Sequence, residues 1–189
     1  MVYKNKKNIF MKNIFLFGAL LIALMTNAQT KMITKTGKVT FEASVPAFEE
    51  VKAKNENVTC IINAQTGEIA SLVLMKSFGF KVALMEEHFN ENYIESDKYP
   101  KGTFKGKVEN FDISKLTAAA KEFTITGKLE LHGKLKAISI PAKIKKTKEG
   151  IEIISNFEVN SDDFNIEIPS VVSKKVSKKV NVTLNFQLI

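Results

Sequence analysis

From Lys38 onward, apolar and polar residues alternate. Val39, Phe41, Ala43 and Val45 are apolar, while Lys38, Thr40, Glu42 and Ser44 between them are polar. Successive side chains of an extended strand point to opposite faces, so this parity predicts a strand with one dry and one wet face. Val58, Cys60, Ile62 and Ala64 repeat it, and Thr66-Gly67 reads as a hairpin turn into Ile69–Met75. Phe104, Gly106 and Val108 alternate with Lys105 and Lys107. The longest run is Phe123, Ile125, Gly127, Leu129 and Leu131, broken at Gly133. Ile138, Ile140, Ala142 and Ile144 follow. Lys148-Glu149-Gly150 then turns the chain into Ile151, Ile153, Ser155, Phe157 and Val159, and Val180, Val182, Leu184, Phe186 and Leu188 form the last strand. About eight half-buried strands result. Parallel strands are covered on both faces and do not alternate this way, so the pattern predicts an antiparallel sandwich or a closed barrel. Short turns between consecutive strands favour an up-and-down meander.

Two stretches leave the period of two. Ala83 to Glu91 has helical character, and Met85, Phe89 and Tyr93 fall four residues apart on one stripe. Asp112 to Lys121 carries Ala118-Ala119-Ala120, with Asp112 or Ser114 placed to cap a helical turn.

The N-terminus reads as an address. Ile14–Met25 is an uncharged apolar run behind several lysines, well short of the roughly 20 residues of a membrane-spanning helix. With Thr26 and Ala28 at the third-last and last positions, it reads as a secretory signal over residues 1–28, cleaved after Ala28. Lys-Asn-Ile-Phe occurs at 7–10 and again at 12–15, which makes Met11 a second candidate start. Residues 29–189 then form a single domain, periplasmic or secreted.

Charge changes the picture less than its total suggests. The formal charge is +8, with 28 basic residues, all lysine. Removing residues 1–28 leaves 24 lysines against 20 acids, a net charge of +4. Without arginine there is no bidentate contact to guanine or phosphate, which argues against nucleic acid as a partner. One cysteine excludes an internal disulfide and a multi-cysteine metal centre. Cys60 lies on an inward apolar face and reads as a small core residue. No phosphate loop, nucleophile elbow or His-Glu-x-x-His motif occurs, so neither an enzyme, a cofactor nor a metal site is expected. His88 with Glu87 and Glu91 offers too few ligands for a metal and reads as a structural histidine tying the helix to the barrel. His132 precedes Gly133 and has outward parity, as suits a tight turn.

The inward parity mixes bulky residues (Phe41, Phe104, Phe123, Phe157, Phe186) with small ones (Ala43, Ala64, Gly106, Gly127, Ser155). The small ones suggest unfilled volume. An eight-stranded barrel lies near the size at which the interior either fills with side chains or holds one small ligand. Two readings therefore stand side by side: a cavity for an apolar molecule, and a filled core whose function lies on its surface. In the first, Phe41, Phe104, Ile125, Leu129, Phe157 and Leu184 line the cavity, and Phe78, Phe80, Leu84 and Phe89 close one end as a lid, with Gly79 giving backbone freedom. Lys174, Lys178 and His88 are the candidates to hold a head group. The lysines could also approach an anionic membrane surface.

The block Leu84-Met85-Glu86-Glu87-His88-Phe89-Asn90-Glu91-Asn92-Tyr93-Ile94-Glu95-Ser96-Asp97-Lys98-Tyr99-Pro100, followed by Thr103-Phe104-Lys105-Gly106, resembles the central signature of the YceI-like family. Gly127–Gly133 and the tail Phe157–Ile168, followed by Pro169, add to the likeness, which spans roughly residues 37–189. The resemblance implies an eight-stranded antiparallel β-barrel, lipocalin-like, with one or two short helices around an elongated apolar tunnel. It also implies an exported, non-catalytic binder of a polyisoprenoid or other long-chain lipid. The histidines of the family's more typical N-terminal segment have no counterparts here, so no head-group contact carries over from them. The alternative function is an envelope interaction or stress module that binds a protein through its surface, with no ligand tunnel.

Overall fold

The computed structural model describes residues 31–189. The expected leader over 1–28, the expected cleavage after Ala28 and the candidate start at Met11 lie outside them. The strands are β1 (Lys31–Ser44), β2 (Lys52–Asn63), β3 (Glu68–Leu74), β4 (Gly79–Phe80), β5 (Lys101–Val108), β6 (Lys121–Leu131), β7 (Lys134–Lys146), β8 (Ile151–Asn160) and β9 (Val176–Leu188). All pairings are antiparallel. The sheet runs β1-β9-β8-β7-β6-β5-β3-β2, and β1 also pairs with β2, so eight strands close into a barrel. Closure removes the exposed edges that an open sheet would present. The ninth strand, β4, is two residues long and sits on the same edge of β2 as β3, opposite Ala53 and Lys54.

Local chemistry sets the hairpins. Asn63 Oδ1 accepts from the Gln65 and Thr66 amides, and Gly67 takes φ 72° to close the turn into β3. His132 and Gly133 have φ of 50° and 71° between the paired residues Leu131 and Lys134. Two left-handed residues in a two-residue loop are the geometry that matches the twist of a hairpin.

β1 and β2 start earlier than the alternation predicts, at Lys31 and Lys52. The register of this pair slips on either side of Gly37. Before the slip the buried β1 residue is Thr34; after it, Ala43. A bulge reverses which parity faces inward, so the first segment reads as noise against a single period. Gly37 is required there, since a Cβ would lie 2.6 Å from the Phe186 ring and 2.8 Å from the Val58 carbonyl oxygen.

Two seams are shorter than the rest, β2–β3, paired only from Thr59↔Leu72 to Ile62↔Ile69, and β7–β8. β6 and β7 pair continuously from Lys121↔Ile144 to Leu131↔Lys134, and β8 pairs β9 along its whole length. Between β7 and β8 the ladder covers only Lys143↔Ile154 to Lys146↔Ile151. It stops near Pro141, which has no N–H to donate. Beyond it the seam is held by side chains: Ser155 Oγ donates to the Pro141 carbonyl, and Lys136 pairs with Asp163.

The stretch from Ala83 is an α-helix, α1 (Ala83–His88), continued by a wider π-type turn over Phe89–Tyr93. The second helical expectation, Asp112–Lys121, is realised as a single 3₁₀ turn, Ile113–Lys115, with Asp112 Oδ1 accepting from the Ser114 amide. The end of the barrel holding the β2–β3 and β7–β8 turns is filled. Val58, Cys60, Ile62, Val108, Ile144, Ile151, Ile153 and Leu188 are fully buried there in one cluster. A second cluster, Ala53, Met75, Phe78 and Ile94, packs the α1 region against the opposite end.

Candidate functional site

Above the filled end the barrel is hollow. A cavity of about 420 Å³ is lined by residues from every barrel strand and from the α1 region, within the range of small-molecule sites. Its floor includes Val58, Ile69, Phe104, Ile125, Ile153 and Phe186, shared with the core cluster below. Its wall is built from inward strand residues, among them Phe41, Leu129, Phe157 and Leu184. It opens toward Phe48, Glu49, His88 and Lys175, where the β1–β2 loop, α1 and the β8–β9 connection meet.

Four phenylalanines close one side. The Phe41 ring centroid lies 5.2 Å from Phe78, 5.7 Å from Phe80 and 5.2 Å from Phe89. Phe80 and Phe89 are also 5.2 Å apart. Tilted and edge-on pairs at these spacings suit the ring quadrupoles. The helical stripe Met85, Phe89 and Tyr93 faces the cavity. Leu84 does not: at 57% exposure it points to solvent, because it lies one residue off that stripe. Gly79 is not a free hinge; it pairs with Lys54 of β2, and the Phe80 amide donates to Glu86 Oε2 at 3.1 Å.

The small inward residues do not all supply the space. Gly106 and Gly127 are paired across β5 and β6. A Cβ on either would lie 2.5–2.7 Å from the Phe104 ring. That ring occupies the room the two glycines leave. The volume comes instead from the mouth half, where the β9 residues Val176, Val180, Val182 and Leu184 face Phe157 and Val159.

Polar groups on the wall are few: Ser71, Ser161, Ser177, Tyr93 and His88, with Glu49 and Lys175 as its charged residues. The head-group candidates separate. His88 lies at the mouth, exposed, with no hydrogen bond to a described residue that would tie α1 to the barrel. Lys174 is exposed outside the wall. Lys178 is drawn away by Asp162, at 2.9 Å. The lysine at the mouth is Lys175, held where the Lys175 amide donates to the Val172 carbonyl in the turn before β9. Sequence parity misses it because that turn is neither strand nor helix.

The structural histidine is His132. Its side chain is 10% exposed, its Nε2 lies 2.7 Å from Glu95 Oε2, and its Nδ1 lies 3.0 Å from the Phe164 carbonyl oxygen. Both neighbours are acceptors and a neutral imidazole has one N–H, so both bonds form together only when each ring nitrogen carries a proton. Tyr99 packs edge-on at 4.4 Å. The His132 hydrogen bond, aided by the nearby Lys98, holds the Glu95 carboxyl below the usual carboxylate range. This joins the β6–β7 turn, the segment after the π turn and the 3₁₀ turn Ser161–Phe164 at the mouth. Cys60 is fully buried, and burial pushes its thiol up to about 12. Among the described residues, no group of three or more His, Cys, Asp or Glu side chains gathers as for a metal ion.

The fold has relatives of known structure. A polyisoprenoid-binding domain from Saccharophagus degradans, implicated in plant cell wall breakdown, superposes with a TM-score of 0.72 at 15% identity, covering 84% of this chain and 96% of that one. Burkholderia cenocepacia BcnA gives 0.66 at 14% identity, covering 80% and 94%. A Campylobacter jejuni YCEI protein gives 0.60 at 20% identity, covering 75% and 86%. A search of curated proteins finds no match. The YceI-like domain matches residues 26–188, from the edge of the leader-like segment to the end of β9, and the chain belongs to that family.

Proposed function

We propose that this protein is an exported carrier or buffer that holds the apolar chain of a long-chain lipid, of polyisoprenoid or fatty-acyl type, inside the barrel without catalysis. The observation that carries this reading is the cavity of about 420 Å³ with an almost wholly apolar wall. Burying a chain there would contribute about 0.8 kcal/mol per CH₂. The described polyisoprenoid-binding relative from Saccharophagus degradans shares the fold and supports the ligand class. Export rests on the leader-like run Ile14–Met25. Exposed Val171, in the same connection as Lys174 and Lys175, and exposed Phe48, on the cavity wall with Lys175, support a peripheral contact with an anionic membrane surface during loading.

The test is extraction of the purified protein with organic solvent and identification of co-purified lipid by mass spectrometry, beside titration with a hydrophobic fluorophore. Recovered lipid and saturable binding are expected. An empty extract with no fluorophore binding sinks the reading. The filled-core alternative, an envelope module acting through its surface, predicts that result.

A further inference from the structure

The cavity is closed at one end. Its lining stops at Val58 on β2, at Ile153 on β8 and at Phe186 on β9. The next inward residues on those strands, Cys60, Ile151 and Leu188, are fully buried and belong to the filled cluster beneath. A chain that enters past Phe48 and Lys175 therefore meets a floor, and does not thread through to the β2–β3 and β7–β8 turns. On β6 the lining runs from Leu131 down to Ile125, and on β8 from Val159 down to Ile153, six residue steps in each. On β9 it climbs further, to Val176 at the mouth.

Depth and volume give the same capacity. Six steps of strand rise about 20 Å, and barrel strands tilt by about 40°, which leaves about 15 Å along the axis. An extended polypeptide advances about 1.2 Å per backbone bond, so a hydrocarbon chain on a similar zigzag covers that depth in about 13 carbons. A methylene group fills much the same space as a water molecule, about 30 Å³ in the liquid, so the cavity of about 420 Å³ takes about 14 of them. Resting on the reading that the cavity holds an apolar chain, we infer that the barrel is a ruler for its guest: it takes one chain, tail first, and encloses about 14 carbons of it. Carbons beyond that number lie outside the mouth, in water. The ligand class is thus a single-chain lipid with a tail of myristyl or farnesyl size. A second acyl chain, or the further isoprene units of a long polyprenol, finds no room. Phe104 sets the bottom of the scale. Its ring lines the cavity, packs on the filled cluster and covers Gly106 and Gly127.

The experiment measures displacement of a bound neutral fluorophore, N-phenylnaphthylamine, by the saturated fatty acids from octanoic to arachidic, each below its aggregation limit. Affinity should rise about fourfold per methylene as far as myristic acid, then stay level from palmitic to arachidic acid. Among prenols, farnesol should bind more tightly than geraniol, and geranylgeraniol no more tightly than farnesol. The series that competes more tightly at the break names the source, alkyl or isoprenoid. Phe104→Leu lowers the floor and should carry the break to longer chains, with the slope below it unchanged. If that variant does not fold, the wild-type series decides alone. Affinity that keeps climbing through arachidic acid, or that levels off by decanoic acid, overturns the inference while leaving carriage intact. A folded Phe104→Leu protein with an unmoved break overturns Phe104 as the stop. Equal affinity along the whole series puts the bound chain outside the barrel, and failure of every competitor leaves no carriage; either result overturns the proposed function and this inference with it.

Discussion

Gly106 and Gly127 face each other across β5 and β6, and the Phe104 ring lies over both. The three residues form one packing unit at the cavity floor. A Cβ at Gly127 would come 2.5 Å from the Lys105 carbonyl oxygen as well as 2.5 Å from the ring, so backbone must move. Gly127→Ala should therefore destabilise the fold by about 1–3 kcal/mol through overpacking, and Gly127→Leu by more. Urea unfolding measures it. Full stability of Gly127→Leu would mean the ring does not cover that site.

Occluding the hollow half should separate binding from folding. Val180 is a half-buried wall residue of β9 near the mouth. Val180→Trp should cut fluorophore affinity by about tenfold or more, while the circular dichroism spectrum stays that of the parent; this corresponds to roughly 1.4 kcal/mol or more. Leu84→Ser, on the solvent side of α1, should leave affinity unchanged. If the two variants behave alike, the bound probe is not in the barrel.

Acid should loosen the mouth. Glu95 titrates below its ordinary value of 4.5, with the His132 hydrogen bond as the main cause. A lowered carboxylate contributes stability above the ordinary value and loses it as pH falls through the folded one. The melting temperature should thus drop as pH is taken below about 4.5. Glu95→Gln should flatten part of that slope and be less stable than the parent at neutral pH. Parallel pH curves for the two proteins would rule the pair out as a contributor.

His132 has a backbone reason for its position too. At φ 50° it occupies left-handed space, which Asn adopts more readily than Ala. His132→Ala should lose both the clamp and the turn, costing about 1–3 kcal/mol; His132→Asn should lose less. Equal losses, read from urea midpoints, would show that the turn conformation contributes nothing.

Cys60 should be chemically silent. Its thiol is fully buried and titrates near 12, and the thiolate is the reactive species. A thiol reagent at pH 8 should label the protein only after denaturant is added. Fast labelling of the native protein would place Cys60 outside the core.

The barrel was legible because its strands keep one dry face. β6 shows this best, with Ile125 buried and Thr124 and Lys128 exposed, as alternation demands. It was illegible where geometry resets the period. The bulge at Gly37 hides Lys31–Thr36, and the two residues of β4 are too few to alternate. At the site, parity selects Phe41, Phe104, Ile125, Leu129, Phe157 and Leu184, because a strand's inward side has one destination; all six line the cavity. Lys178 shares that inward parity but is claimed by Asp162, which lies in a turn where strand rules say nothing. His132 sits in the tight turn expected of it, and the structural tie expected of His88 falls to it too, for a similar reason. His132 is gripped by Glu95 and Phe164, residues remote in sequence.

The short ladders between β7 and β8 and between β2 and β3 leave the cylinder with two expansion joints. Along those lines its circumference can widen or narrow by re-seating a few side chains, with no main-chain bond broken. A container built this way need not be cut to a single guest: it can adjust its girth to chains of differing thickness while the longer ladders hold together.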